Sequence, residues 1–205
     1  PIGSFSYSQA LEYAIDSGNI KTKEQLQTWL SLQIKHGLAQ LDLPVLLRLN
    51  FACHKNDKQT MRKWNQTIFA YRESAEFYDE DCHVGHALRR LLIDLEVTEA
   101  TNWQTENVSY VCMYAIDCHH WEIDNDASLT GYMWAWCENM VAAAVKLLPM
   151  GQTDGQRLLM TLSEKIDAAC TKAKQLSDDE IGGTLPGLAM ASAYHETQYS
   201  RLCRS

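Results

Sequence analysis

Apolar positions along the chain recur every three or four residues, the period of a helix with one buried face. Tyr7, Ala10, Leu11, Ala14 and Ile15 form the first stripe, and Gly18 can end it in the left-handed conformation. Thr22-Lys23-Glu24-Gln25 reads as a capping box, in which hydroxyl and amide satisfy each other's free backbone donors. Leu26, Trp29, Leu30 and Ile34 follow as a stripe that runs to about Gly37. Asp42 reads as the next N-cap, with Pro44 tolerated in the first turn ahead of Val45, Leu46, Leu49, Ala52 and Cys53. Asn56-Asp57 restarts a helix carrying Met61, Trp64, Ile68 and Phe69. The stretch from Ser74 to Asp94 is charged, whereas Val108–Trp121 and Leu129–Leu148 are apolar enough to be central. Thr153-x-x-Gln156 reads as a second capping box, opening the stripe Leu158, Leu159, Leu162, Ile166, Ala169, Cys170 and Ala173.

Punctuation supports the helices. Between Pro44 and Pro149 there is no proline, and glycine occurs only at Gly85 and Gly131. Such a gap favours long helices over many short strands. Asp154-Gly155, the one two-residue hairpin candidate, has polar neighbours that do not alternate. The chain therefore reads as all-α, one irregular helical bundle of about nine or ten helices. The expected spans are Tyr7–Ser17, Lys23–Leu38, Leu43–His54, Lys58–Tyr71, Ala75–Leu95, Val108–Trp121, Leu129–Leu148, Gly155–Lys174 and Gly187–Gln198. Residues 1–205 are taken as a single domain, with 187–205 its last helix and a tail.

Composition narrows the function classes. At 205 residues, with 46% hydrophobic and 21% charged residues, the chain is an ordinary globular one. A formal charge of −8 argues against nucleic acid or an anionic membrane as partner, since both need a basic face. No apolar run approaches the ~18 residues of a membrane span; Met140–Val145 is cut short by Lys146. Seven cysteines, an odd number without C-x-x-C, read as small buried hydrophobes of a reduced cytoplasmic protein.

Catalytic signatures are missing. The chain has no phosphate-binding G-x-x-x-x-G-K-[ST], no G-x-G-x-x-G, no G-x-S-x-G and no H-E-x-x-H; Tyr199 stands four residues after His195. On a helix Asp79 and His83 share a face, as do Cys82 and His86, and such pairs can hold nickel or zinc. Two ligands do not close a site, however, so Asp79–His86 reads as a solvated face and Cys118-His119-His120 likewise, and no metal site is assigned. Lys146 interrupts an apolar helix end. It reads either as a snorkelling lysine that complements the helix dipole or as a cation offered to a partner. The ending His195–Ser205 mixes aromatics, arginines and hydroxyls, the side chains interfaces favour. As a terminus it is expected to carry few core contacts, so removing His195–Ser205 should leave the core folded.

Several of these segments together resemble one family. Pro1-Ile2-Gly3-Ser4-Phe5-Ser6-Tyr7-Ser8-Gln9-Ala10-Leu11-Glu12, Leu41-Asp42-Leu43-Pro44, Arg72-Glu73-Ser74 and Val145–Gln152 are similar to motifs of the urease accessory protein UreF. So, above all, is the ending Ser192-Ala193-Tyr194-His195-Glu196-Thr197-Gln198-Tyr199-Ser200-Arg201-Leu202-Cys203-Arg204-Ser205. Cys203 departs from the pattern, standing where relatives often have an aromatic, and the apolar segment that usually precedes Pro-x-Gly is not in this chain. The resemblance implies an all-α protein, often homodimeric, with no catalysis and no resident cofactor. It implies partners too: UreD (also called UreH), the nickel-carrying GTPase UreG and, through them, apo-urease. The position matching Lys146 is tied to the UreG side, and those matching Tyr194, His195, Glu196, Tyr199, Arg201 and Arg204 to the UreD side. Two other classes remain open. One is a GTPase-activating protein in the strict sense, offering Lys146, Arg201 or Arg204 to a transition state. The other is a helical metal-dependent hydrolase built on His83, His86, His119 or His120.

Overall fold

The computed structural model describes residues 3–204, so Pro1, Ile2 and Ser205 of the resemblance motifs lie outside the described residues. Every regular element among the described residues is helical. They are α1 (Leu11–Asp16), α2 (Lys23–Gln33) with a π-turn (Ile34–Leu38), α3 (Asp42–His54), α4 (Lys58–Ala70), α5 (Ala75–Asp94) and α6 (Thr98–Thr101). Then come α7 (Tyr110–His120), α8 (Asn125–Leu147), α9 (Gln152–Ser163), α10 (Ile166–Gln175) and α11 (Pro186–His195), with short 3-10 turns at Ser4–Ser6 and Asp178–Glu180.

α3 lies at the centre and packs against α4, α7, α8 and α10, while α7 bridges α3 and α5. Burial follows: Leu43, Leu46 and Leu49 of α3 and Val111, Met113 and Ala115 of α7 have no exposed surface. One continuous apolar cluster joins them to α8 through Leu129, Met133 and Met140. The cysteines are all buried and unbridged, and burial pushes the Cys53 and Cys137 thiols up to about 12. No described helix is long and apolar enough to cross a membrane.

Local signals placed several helix ends. Thr22 and Gln25 form the capping box of α2, Asp57 accepts from the Thr60 amide at 3.0 Å to start α4, and Gly18 adopts φ +77° after α1. Other ends differ for identifiable reasons. α1 starts at Leu11 because Gln9 and Ala10 take positive φ, 51° and 63°. Gln9 is held there by the Trp136 indole donating to its Oε1 at 2.8 Å and by its own Nε2 donating to Glu80 at 2.9 Å. α9 begins at Gln152 behind Gly151, so Thr153 and Gln156 form no box. The single helix expected over Gly155–Lys174 breaks at Glu164–Lys165. The apolar stripe runs through unbroken, but the Lys165 amide bonds the Leu162 carbonyl three residues back at 3.0 Å instead of continuing the four-residue ladder.

Asp42 is not an N-cap. Leu41 occupies that position, and the Asp42 carboxylate instead accepts from Arg72 at 2.7 Å and from the Tyr132 hydroxyl at 3.1 Å. Arg72 also donates through Nε to Asp81 at 2.8 Å, and the other Asp81 oxygen accepts the Tyr110 amide at 2.6 Å. One guanidinium thus joins α3, α5, α7 and α8. Burial works against its charge, but Asp42 and Asp81 outweigh that and leave its pKa well raised.

α5 and α7 meet closely at Gly85. A Cβ there would stand 2.1 Å from the Val108 carbonyl oxygen, a backbone atom that cannot swing aside. Gly85→Ala should therefore destabilise the fold by about 1–3 kcal/mol despite alanine's better helix propensity, read as a lowered urea midpoint. Arg72→Met should cost more, about 3–5 kcal/mol, because it leaves two buried carboxylates without a cation. Equal urea midpoints for wild type and Arg72→Met would remove the cluster from the account of stability.

Candidate partner-binding surface

The C-terminal tail does not fray. After α11 it folds back over α1 and the Ser4–Ser6 turn, and the groups that hold it are buried acids. Glu12, only 6% exposed, accepts the Leu202 and Cys203 amides, one on each oxygen, at 2.7 Å. The Arg204 amide donates to the Ser6 carbonyl at 2.8 Å. Hydrogen bonds to a carboxylate are stronger than neutral ones, so one side chain fixes two successive residues of an otherwise irregular segment.

His195 sits beneath the tail with no exposed surface. Its Nδ1 lies 2.9 Å from Glu76 of α5, which places the proton on Nδ1, and its Nε2 faces Glu12 at 3.5 Å. Arg201 donates to the same Glu76 carboxylate at 2.8 Å. Glu196 accepts the Glu76 amide at 3.3 Å, an anion at the first turn of α5 where the helix dipole favours it. Ser192 and Ser74, the α5 N-cap, join hydroxyls at 2.7 Å. α11 and the tail are thereby clamped to α1 and α5.

These contacts sort the candidate residues. His195 cannot touch a partner in this conformation; it is the buried post of the clamp. The expectation that His195–Ser205 carries few core contacts is corrected for the same reason, since its loss would strip Glu12 and Glu76 of their partners. Glu196, Arg201 and Arg204 are exposed, with the first two also tied to α5. Tyr199 is fully exposed, Leu202 is 80% exposed, and Tyr194 is 53% exposed with its ring stacked on Tyr13 at 5.5 Å. Met190 is 57% exposed, so α11 and the tail leave several aromatic and apolar side chains to solvent on a backbone that is held in place. Glu12 and Glu76 drew no notice in the sequence because Glu12 meets its partners 190 and 191 residues away.

Lys146 lies in the last turn of α8 and is exposed. Its ammonium is close enough to the Cys203 thiol to lower its pKa, against the larger opposing effect of burial. Lys146 and the tail therefore share one side of the molecule. The histidine-bearing segments remain dispersed. His83 meets the Tyr7 hydroxyl at 3.4 Å, His119 packs edge-on against His54, and His120 packs against Trp121. Among the described residues no three His, Cys, Asp or Glu side chains converge in a way that could hold a metal ion.

If Glu12 is what seats the tail, Glu12→Gln leaves one backbone N–H facing an amide donor, at a cost of about 1–3 kcal/mol. Trypsin should then cut after Arg201 several-fold faster at unchanged helical circular dichroism, with the released peptide identified by mass. An unchanged cleavage rate would show that Glu12 does not hold the tail.

Residues 20–163 match the family profile UreF. Over the whole chain the sequence is 45% identical to the urease accessory protein UreF of Alkalilimnicola ehrlichii, covering 90% of that protein. It is 45% identical to the protein of the same name from Hahella chejuensis, covering 92%, and 42% identical to urease accessory protein UreF 2 of Brucella anthropi, covering 91%.

Proposed function

The chain belongs to the UreF family of urease accessory proteins, and on that premise we propose that it is a scaffold in urease maturation with no catalysis of its own. It holds UreD (UreH) on the tail surface and the GTPase UreG on the surface that carries Lys146. Through them it reaches apo-urease, and GTP hydrolysis by UreG is coupled to delivery of nickel, which is cargo here and not a resident cofactor. The reading has it work as a cytoplasmic homodimer, without disulfides.

The observation that carries this reading is the clamped tail. An aromatic and apolar surface on an ordered backbone binds without first losing the entropy of a free terminus. The residues to test are those that face outward, Tyr194, Tyr199, Leu202 and Arg204, while His195 acts from beneath. A scaffold that couples one partner's nucleotide state to another's cargo needs no nucleophile. It needs surfaces whose affinity differs between partner states.

The test is a titration of GTP-loaded UreG onto the complex of this chain with UreD, beside thermal melts. Lys146→Ala should leave the melting temperature nearly unchanged, because an exposed lysine loses little on truncation. It should weaken UreG binding by about 2 kcal/mol or more, roughly 30-fold, if the ammonium is desolvated at that interface. Tyr199→Ala with Leu202→Ala should weaken UreD capture and spare the melt. Normal UreG affinity for Lys146→Ala, or normal UreD capture by the tail variant, would sink the corresponding assignment.

A further inference from the structure

A groove of about 710 Å³ runs between α2 with its π-turn on one side and α10 on the other. α2 packs on α9 and the π-turn packs on α10, and the groove opens between those two contacts. Both of its walls are irregular there. The Ala39 amide reaches back five residues to the Ile34 carbonyl at 3.0 Å, which widens the end of α2, and α10 sets off from the break at Glu164–Lys165. Widened turns of this kind recur at functional sites. The tail clamp draws on α1, α5 and α11, so the groove is built from other elements.

The floor is apolar. Ile34, Ala39 and Ala169 are buried beneath it, and Leu32 stands in its wall 46% exposed. The rim is cationic. Lys35, Lys165 and Lys172 line the groove against one acid, Glu164, in a chain whose formal charge is −8. Lysine ion pairs are made elsewhere, by Lys23 with Asp154 and by Lys174 with Asp126. Among the described residues none of the three rim lysines makes one. Lys172 adds only the smallest of the effects that hold the Glu180 carboxyl below its ordinary range, after the Ser177 hydrogen bonds.

We propose that this groove docks an acidic amphipathic helix of a partner chain, with the apolar face of that helix on the floor and its carboxylates beside Lys35, Lys165 and Lys172. A helix laid into an apolar groove between two others is a recurring mode of recognition, and opposite charge at the rim steers encounter and fixes register. Other occupants match the charge less well. A second copy joined by a twofold axis through the groove would set this cationic rim against its own image. A nucleic acid or an anionic bilayer would meet the field of an acidic chain.

The probe is a fluorescein-labelled peptide of about 20 residues, since shorter isolated helices are marginal in water. It carries leucine on one helical face and glutamate with alanine elsewhere, and the full chain is titrated into it while anisotropy is followed. One control peptide has lysine for every glutamate, and another has alanine for every leucine. The expected result is saturable binding of the glutamate–leucine peptide alone, with a half-point that rises with salt. Combining Lys35→Glu, Lys165→Glu and Lys172→Glu should raise that half-point at least about ten-fold and confer binding of the lysine peptide. Leu32→Gln, a second variant outside the cationic rim, should weaken the glutamate–leucine peptide without that exchange of preference. Absence of saturation, equal binding of either control peptide, or half-points unmoved in both variants would overturn the proposal. So would a change of mass by light scattering in the charge-reversed variant, which assigns the groove to contact between copies. Sedimentation with phosphatidylserine vesicles that the same variant abolishes would also overturn it, in favour of a membrane. The titration uses neither UreD nor UreG, so its outcome is independent of the scaffold reading.

Discussion

A guanidinium with less than a fifth of its side chain in contact with solvent has to be matched by anions, and Arg72 is matched by two. Asp42 opens α3, Asp81 lies on α5, the Tyr110 amide that Asp81 accepts opens α7, and the Tyr132 hydroxyl that Asp42 accepts lies on α8. Apolar packing alone could hold these four helices at the same separation, and replacing a buried ion cluster by apolar residues is often neutral or stabilising. What packing supplies less well is rotation and register. Each hydrogen bond of the cluster has one direction, so α3, α5, α7 and α8 can meet in one arrangement only. The close approach at Gly85, where α5 touches the backbone leading into α7, depends on that arrangement being kept.

The tail clamp uses the same chemistry nearer the surface. Two acids, Glu12 and Glu76, are withdrawn from water and recover hydrogen bonds from the tail and from His195 and Arg201. Leaving either unmet would cost more than its partners contribute, and this asymmetry keeps an irregular terminus in place. The consequence is a division of labour within one short segment. Alternate parts face inward to hold, as His195 and Cys203 do, and outward to present, as Tyr199 and Leu202 do.

The sequence was legible wherever the cause of a structure is local. Thr22, Asp57 and Gly18 act through neighbours within a few residues, and the stripes of α2, α3 and α4 report burial directly. It misled where a local pattern was overruled from a distance. Asp42 has the chemistry and position of an N-cap, but Arg72, thirty residues on, claims its carboxylate. Gln9 lies within the expected Tyr7–Ser17 helix and Ala10 carries its spacing, yet Trp136 and Glu80 draw Gln9 out of the helix. At Glu164–Lys165 no glycine or proline marks the break, and the ladder tightens to a three-residue step that no local residue type announces. The candidate surface was half visible: residue types in the tail suggested an interface, and nothing local separated the buried His195 from the exposed Tyr199. That separation is set by Glu12 and Glu76, which reach the tail from the opposite end of the chain and from α5.

Adjacency of the two candidate surfaces bears on how partners bound at them could influence each other. Lys146 lies near Cys203, and the Cys203 amide is one of the two that Glu12 holds. A partner engaging Lys146 and another engaging the tail would therefore act on neighbouring groups. If either shifts how firmly the tail is seated, linkage requires that each alters the other's affinity by the same factor. The size of such an effect is bounded by what the seat can lose. Two amide hydrogen bonds to a carboxylate, at about 1.5–3 kcal/mol each, exceed together the 1–3 kcal/mol typical of allosteric coupling, so a partial loosening of the seat is enough. A terminus held by a few strong, breakable bonds meets that requirement, whereas one packed into the core would be too costly to move and a frayed one would have nothing to report.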